Sequence, residues 1–350
     1  MDGKKRMRPG SPVTIYDVAR KAKVSITTVS NVINDKDNIP EVTRKKVREA
    51  IRSLDFTPNK IAQRLVTKRT QTIALLIPTM ENPFFAELYN GIEGYIESDR
   101  PEYKIMIGNI GYSEEKEREL IGRFRREFFD GYIMVSNNPD NQKVRGLMKS
   151  EIPLVFAAGD PSEAGGRPLV TYNNYEMAYE ATRYLAGLGH RRFGYIAGTF
   201  RQSSRSQSRY HGFVQCLNDR GISTERRLFV EGGTYTSKCG YESFRELARK
   251  GEVPTALFCA NDMLAIGALA AIREAGLKIP GDISVVGFDN IPASAYVDPP
   301  LTTVSINPAA IGSESARLLF GIIDGKKERD TMKMIGGELV VRKSCAPPKR

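Results

Sequence analysis

Apolar and polar positions fall into two regimes that meet near residue 70. Before it, short stretches of helical spacing follow one another. Ile15, Val18, Ala19 and Ala22 form one apolar stripe, Val29, Val32 and Ile33 a second, and Val47, Ile51 and Leu54 a third. Recurrence at three and four residues marks an amphipathic helix. Thr14, with Asp17 three residues on, can cap the first helix. Ser25 can cap the second after a connection of about three residues, the spacing of a helix-turn-helix. The third spans about 41–54, with Arg44, Lys45, Lys46, Arg48 and Arg52 elsewhere on its surface.

Beyond residue 70, strand-like runs alternate with amphipathic helical runs. The first series is strand 72–77, helix 84–98, strand 103–108, helix 113–129, strand 131–135, helix 141–149 and strand 153–157. A helix over 175–188 opens the second, which continues as strand 193–197, helix 203–220, strand 228–231, helix 237–250, strand 255–259, helix 261–275 and strand 283–288. Such alternation predicts an α/β architecture of parallel sheets covered by helices. Two series predict two similar lobes with a cleft between them. Ligands of open α/β sheets bind beyond the carboxyl ends of the strands. Those ends carry 78–85, 198–209, 260–262 and 289–290.

Charge sharpens the division. Residues 1–69 hold 17 Lys/Arg against 7 Asp/Glu, and the other 281 hold 35 against 34. One fifth of the chain thus carries nearly all of the net +11. That asymmetry points to a nucleic-acid module on a neutral body. The sequence is 41% hydrophobic and 27% charged, which excludes disorder as a whole-chain description. No apolar run approaches the length of a membrane-spanning helix, and the best stretch, 255–272, is interrupted by Asn261 and Asp262. The basic start MDGKKRMRPGSP has no apolar stretch behind it and is not expected to be a secretory signal. Four cysteines without a C-x-x-C and only two histidines argue against a zinc site. They suit a reducing cytoplasm, so a cytoplasmic protein without metal or cofactor is expected. No phosphate loop, nucleophile elbow, H-E-x-x-H or dinucleotide fingerprint is present, so an enzyme is not expected.

Several stretches resemble the lactose-repressor (LacI/GalR) family of bacterial transcription regulators over about residues 13–345. They are VTIYDVARKAKVSITTVSNVIN from 13, FTPNKIAQRLVTKRT from 56, NPFF at 82–85 and GH-RR-GYIAG at 189–198. R-Y-x-GF at 209–213, PTALFCAND at 254–262, DISVVGFDN at 282–290 and PPLTTV at 299–304 complete the set. The resemblance implies a disordered basic arm (1–12), a helix-turn-helix headpiece (13–58), a hinge helix (59–69) and an effector-binding core (70–350) like the periplasmic sugar-binding proteins. Within the core, one lobe is expected over about 71–168 and 304–335, the other over about 169–303 and 336–346.

By the same resemblance, Thr14, Tyr16, Ser25, Ile26, Thr27, Thr28 and Asn31 would contact DNA from the headpiece. Asn59, Ala62, Gln63 and Leu65 would do so from the hinge, with Leu65 wedged into the minor groove. The residue chemistry agrees: Thr and Asn hydrogen-bond base edges or phosphates, Ile26 suits a thymine methyl, and an apolar wedge kinks the duplex. Asn31 stands where the family often has Arg or His, and Pro40 where a capping Ser is common. A short hinge helix needs DNA or a second copy to persist, which implies a homodimer on a palindromic operator. No heptad zipper follows Val341, so no zipper-linked tetramer is expected.

The effector residues implied are Phe84, Phe85, Arg209, Asn261, Asp262 and Asp289. Aromatic faces cover the apolar side of a sugar or base ring, and Arg with carboxylates grips vicinal hydroxyls. A carbohydrate effector is the first expectation, and a nucleobase or a corepressor-dependent logic the alternative. A sugar-binding protein with no DNA role is disfavoured by the basic headpiece. After strand 153–157, where many relatives place an aspartate, this chain has Ala157 and Ala158. The stretch TFRQSSRSQSR adds Arg201 and Arg205 to Arg209. Either these two lie on a solvated loop, or the pocket suits an anionic effector such as a uronate or sugar phosphate.

Overall fold

A computed structural model describes residues 13–33, 39–56, 69–135, 142–161, 164–200, 203–224, 228–251, 253–326 and 331–349. The chain divides into two compact units between Arg69 and Thr70. The basic arm expected over 1–12, and the hinge helix except for Arg69, lie outside the described residues.

The N-terminal unit holds helices α1 (Ile15–Ala22), α2 (Ile26–Ile33) and α3 (Glu41–Ser53). The Thr14 N–H and hydroxyl both donate to the Asp17 carboxylate, at 3.0 and 2.7 Å, starting α1. These donors hold the Asp17 carboxyl below its usual range. Lys23 then turns the chain with φ near 55°, and the Val24 N–H closes back on the Ala19 carbonyl at 3.0 Å. Ser25 restarts it by accepting from the Thr28 N–H at 3.0 Å. Val18, Val29, Val32, Val47 and Ala50 meet in a small core. The apolar stripes legible in the sequence are the buried faces.

The second unit contains two six-stranded sheets. Its elements run β1 (Thr72–Ile77), α4 (Pro83–Asp99), β2 (Lys104–Asn109), α5 (Glu114–Phe124), β3 (Gly131–Met134), α6 (Gln142–Met148), β4 (Leu154–Ala157) and β5 (Leu169–Thr171). Then come α7 (Asn174–Gly187), β6 (Phe193–Ala197), α8 (Ser204–Asn218), β7 (Phe229–Glu231), α9 (Ser237–Arg249), β8 (Ala256–Cys259), α10 (Asp262–Glu274) and β9 (Ser284–Asp289). The last are β10 (Thr302–Ile306), α11 (Pro308–Ile323), β11 (Met332–Met334) and β12 (Gly337–Val340). The first sheet has the order β11-β5-β4-β3-β1-β2 and is parallel throughout. The second has the order β12-β10-β9-β8-β6-β7, parallel except where β12 runs against β10. The central strands are buried along nearly their whole length, as strands covered on both faces must be.

Three details differ from expectation. Strand β5 pairs with β4 through Ala157↔Val170, so the first lobe runs on past residue 168. Strand β10 pairs with β9 through Thr302↔Val286 and Val304↔Phe288, so the second lobe extends past 303. Sheet membership is decided by the hydrogen-bond partner and not by a strand's own pattern. Helix α5 ends at Phe124 rather than near 129. Asp130 must donate its N–H to Thr72 to start β3, and the chain turns through Phe128 at φ near 54° to reach it.

Helix pairs cover the sheets, α4 against α11, α7 against α8 and α9 against α10. Glycine sets the closeness of the last pair. A Cβ at Gly267 would collide with the Ser237 carbonyl, and one at Gly240 with the Leu264 carbonyl. Backbone cannot move aside as a side chain can. Gly267→Ala is therefore expected to destabilise by about 1–3 kcal/mol, read as a lower urea midpoint. Gly122→Ala in α5, where nothing lies within 4 Å, is expected to gain about 0.5–1 kcal/mol from helix propensity.

Candidate functional site

The expected DNA-reading residues of the headpiece lie at the start of α1, at the start of α2 and, for Asn31, in its last turn. Tyr16 is 63% exposed, Thr14, Ser25, Ile26 and Thr27 are exposed, and Thr28 and Asn31 are half-buried. Part of this polar set is committed locally. The Ser25 and Thr28 hydroxyls lie 2.8 Å apart, and Ser25 caps α2. The Thr14 hydroxyl is held by Asp17. Ile26 and Thr27, on the first turn of α2, stand clear of the small core. Asn59, Ala62, Gln63 and Leu65 lie outside the described residues.

A narrow cleft opens at the carboxyl ends of the strands, between the two lobes of the second unit. Phe84 and Phe85 reach it from the first turn of α4, which Asn82 caps by accepting from the Phe84 N–H at 3.0 Å. Their rings meet edge to face at 5.2 Å. Proline at the next position, Pro83, starts the helix without wasting a donor. Arg209 enters from α8, 7% exposed. Its Nε donates to Asn174 Oδ1 at 2.8 Å, its Nη2 to the Tyr172 hydroxyl at 2.8 Å and its Nη1 to the Ala260 carbonyl. The guanidinium stacks 3.7 Å from the Phe288 ring centroid. Asp289, at the end of β9 and 5% exposed, lies 3.8 Å from Arg209 and accepts from the Asn82 side chain at 3.3 Å.

Of the six expected effector residues, Phe84, Phe85, Arg209 and Asp289 line this cleft, each of them buried. Asn261 also lines it, but its Oδ1 caps α10 through the Leu264 N–H, and its amide nitrogen donates to the Tyr235 carbonyl. Asp262 does not line it. Its Oδ1 accepts from Thr303 and its Oδ2 from the Ile291 N–H at 2.9 Å, beneath β9. Complete burial, with Asp289 nearby, raises its carboxyl well above the usual range. Its adjacency to Asn261 in the motif hid that its side chain turns to the other side of the helix start. Residues outside the expected six complete the wall: Asn82, Ser203 and Ser206, from the strand-end stretches 78–85 and 198–209, and Tyr112, Tyr172 and Tyr235, from outside them. Tyr112 and Tyr235 follow β2 and β7, so the strand-end rule could have found them. Arg205 also faces the cleft and donates to the Ala158 carbonyl of the opposite lobe at 3.1 Å.

Burial pushes Asp289 up to about 6, against the opposing pull of Arg209 and the Asn82 hydrogen bond. Between its ordinary value and 6, the folded protein holds a proton that the unfolded chain has lost. This group's contribution to stability therefore falls as pH rises through that window. Stability of the wild type relative to Asp289→Asn should drop by on the order of 1–3 kcal/mol from about pH 4 to about pH 7, measured by urea unfolding at each pH. A pH-independent difference would place the titration elsewhere.

Residues 14–59 match the family described as bacterial regulatory proteins, lacI family, and residues 182–345 the periplasmic binding protein-like domain. Catabolite control protein A of Priestia megaterium is 36% identical over 307 residues, covering 88% of this chain and 91% of that one. Among solved structures, the lac repressor dimer bound to operator and the anti-inducer ONPF is similar with a TM-score of 0.85 at 26% identity, covering 96% of this chain and all of that one. The transcriptional regulator CelR–cellobiose complex has a TM-score of 0.71 at 27% identity, covering 95% of this chain and 99% of that one. With a capped helix-turn-helix, two parallel-sheet lobes around a cleft and relatives of this closeness over most of its length, the chain belongs to the lacI family of DNA-binding bacterial transcriptional regulators.

Proposed function

We propose that this protein is a repressor that binds a palindromic operator as a homodimer, its operator affinity set by a small effector held in the inter-lobe cleft. The observation that carries this reading is the meeting, at one cleft, of an aromatic wall from one lobe and the buried Arg209–Asp289 pair from the other. A sugar or sugar derivative fits that chemistry: the rings cover an apolar ring face while Asp289, Asn82 and Arg209 address hydroxyls. The CelR relative is solved with cellobiose and the lac repressor with an anti-inducer, which supports the same assignment. On the DNA side, Ile26, Thr27 and Asn31 read base edges, with Thr14, Tyr16, Ser25 and Thr28 on the backbone. Asn59, Ala62, Gln63 and Leu65 address the operator centre.

A ligand touching both lobes acts by differential affinity for two lobe angles. In a dimer, that angle sets the spacing of the paired first lobes and so of the DNA-reading elements. Two measurements test this. Operator affinity of the full chain, followed by fluorescence anisotropy, should fall with salt with a log–log slope between about −5 and −9, as expected for roughly six to ten neutralised phosphates. A slope near zero would remove DNA from the account. Arg209→Ala should abolish the change in operator affinity that a sugar library produces on wild type, an effect of roughly 5–150-fold for ordinary allosteric coupling. A variant that keeps its full ligand response would exclude Arg209 from the effector site.

A further inference from the structure

The passages of chain between the two lobes gather at one side. They run from β5 to α7, from β10 to α11 and from β11 to β12. Strands β11 and β5 stand at one edge of the first sheet, and β12 and β10 at one edge of the second. The opposite edges are β2 and β7. Lobes hinged along one edge open and close most at the other, so groups placed there decide how far the cleft can shut and what can project from it. Each of those two strands delivers a tyrosine to the cleft: Tyr112 follows β2, and Tyr235 follows β7.

The two rings meet from opposite lobes with centroids 5.3 Å apart and planes at 37°. Both are fixed from behind. The Tyr235 hydroxyl donates to the Thr199 carbonyl at 3.3 Å, and the Tyr235 carbonyl accepts from the Asn261 amide at 3.4 Å. Its ring lies against Gly198, where an added Cβ would come within 2.7 Å of three ring carbons. The glycine that ends GYIAG is what lets the ring sit there. Tyr112 is set by its backbone. Gly111 and Tyr112 take φ near 68° and 55° in succession. The Gly111 N–H donates to the Pro78 carbonyl at 2.7 Å and to Asn109 Oδ1 at 3.1 Å, and Ser113 then caps α5. A tyrosine in the left-handed region carries a cost that glycine would not, and such costs collect at ligand sites. Asn82 with Asp289 and Arg205 with Ala158 link the lobes elsewhere along the cleft. With the hinge passages behind, the tyrosine pair is the front of the enclosure.

We propose that Tyr112 and Tyr235 are specificity-determining residues that limit the effector to a single sugar ring. This rests on the effector reading above and narrows it. A monosaccharide lies behind the two rings, which meet in front of it as the lobes close. A disaccharide has to lead its second ring out between them. That parts the tyrosines and holds the lobes open at the edge where closure travels farthest. The ring contact is lost, and the projecting sugar gains no enclosed partner in return.

The test uses the full chain as wild type, Tyr112→Ala, Tyr112→Phe and Tyr235→Ala. The probes are glucose, galactose and mannose, and the disaccharides cellobiose, maltose, lactose and mannobiose built from them. Thermal unfolding reports binding, and operator anisotropy reports the response. On wild type, at least one monosaccharide should stabilise at a concentration at least about tenfold below that of any disaccharide containing it. Tyr112→Ala should cut that ratio to below about threefold by admitting the disaccharide, with the monosaccharide still bound. Tyr112→Phe keeps the ring and should keep the wild-type ratio. Tyr235→Ala repeats the measurement from the other lobe and should lose selectivity in the same way, so the outcome does not hang on the folding of one variant. The proposal is overturned if a disaccharide binds wild type as tightly as its constituent monosaccharide, or if both alanine variants keep the wild-type ratio. Disaccharides that shift operator affinity while monosaccharides do not would leave effector control standing and remove the size limit. Monosaccharide binding at the expected ratio with no change in operator affinity would uphold the size limit and remove effector control. If no sugar of either set binds wild type, the carbohydrate reading and the size limit fall together.

Discussion

A guanidinium withdrawn from water brings five N–H donors and a full charge that must all be met inside the protein. Arg209 meets them with one group from each of four places: Asn174 at the start of α7, Tyr172 on the crossover between lobes, Ala260 after β8 and Asp289 at the end of β9. Phe288 supports its face. Two strand ends, a helix start and the inter-lobe crossover are thereby drawn to a single cation. Removing any one partner leaves charge or donors buried without compensation. The cleft's shape is therefore set by the needs of one side chain as much as by the sheets behind it.

Around that centre the lobes already touch. Asn82 reaches Asp289, Arg205 reaches Ala158, and the Tyr112 and Tyr235 rings lie 5.3 Å apart across the mouth. A ligand bound there, as proposed, would replace these contacts, and its affinity would measure the difference between its own bonds and those it breaks. Backbone strain collects at the same rim. Ala158 has φ near 52°, Asp289 near 114° and Asn290 near 57°, conformations that side chains adopt at a cost of about 1–3 kcal/mol each. Asn290 is held there by hydrogen bonds from Arg342 at 2.7 Å and to Ser305 at 3.1 Å.

In the headpiece, economy takes a different form. Its core is assembled from small side chains, chiefly Val18, Val29, Val32 and Val47. So little apolar burial leaves a unit of this size marginal. Caps carry a larger share, and the residues engaged in them, Thr14, Ser25 and Thr28, are among those proposed to meet DNA. Their hydroxyls serve the helices in the free protein, which leaves Ile26 and Thr27 as the uncommitted groups of α2's first turn.

Periodicity in the sequence determined the three headpiece helices, the strand–helix alternation and nearly every element up to β9, because burial on one face writes a repeat that needs no partner to be seen. It did not reveal β5, the last three strands or α11. The strands among these are short, of three to five residues, and their places are decided by which edge of which sheet accepts them. The motifs brought Phe84, Phe85, Arg209 and Asp289 to notice, since each sits at a strand end or helix start where side chains project toward the cleft. Whether a neighbour in the same motif also faces it was beyond sequence. Asn261 and Asp262 are consecutive, yet one lines the cleft and the other is sealed beneath β9 by Thr303 and Ile291. Arg205 could have been a solvated loop residue until the lobes came together. A side chain's chemistry is local, but its direction and its partners come from segments far away in the chain, and only the tertiary structure supplies those.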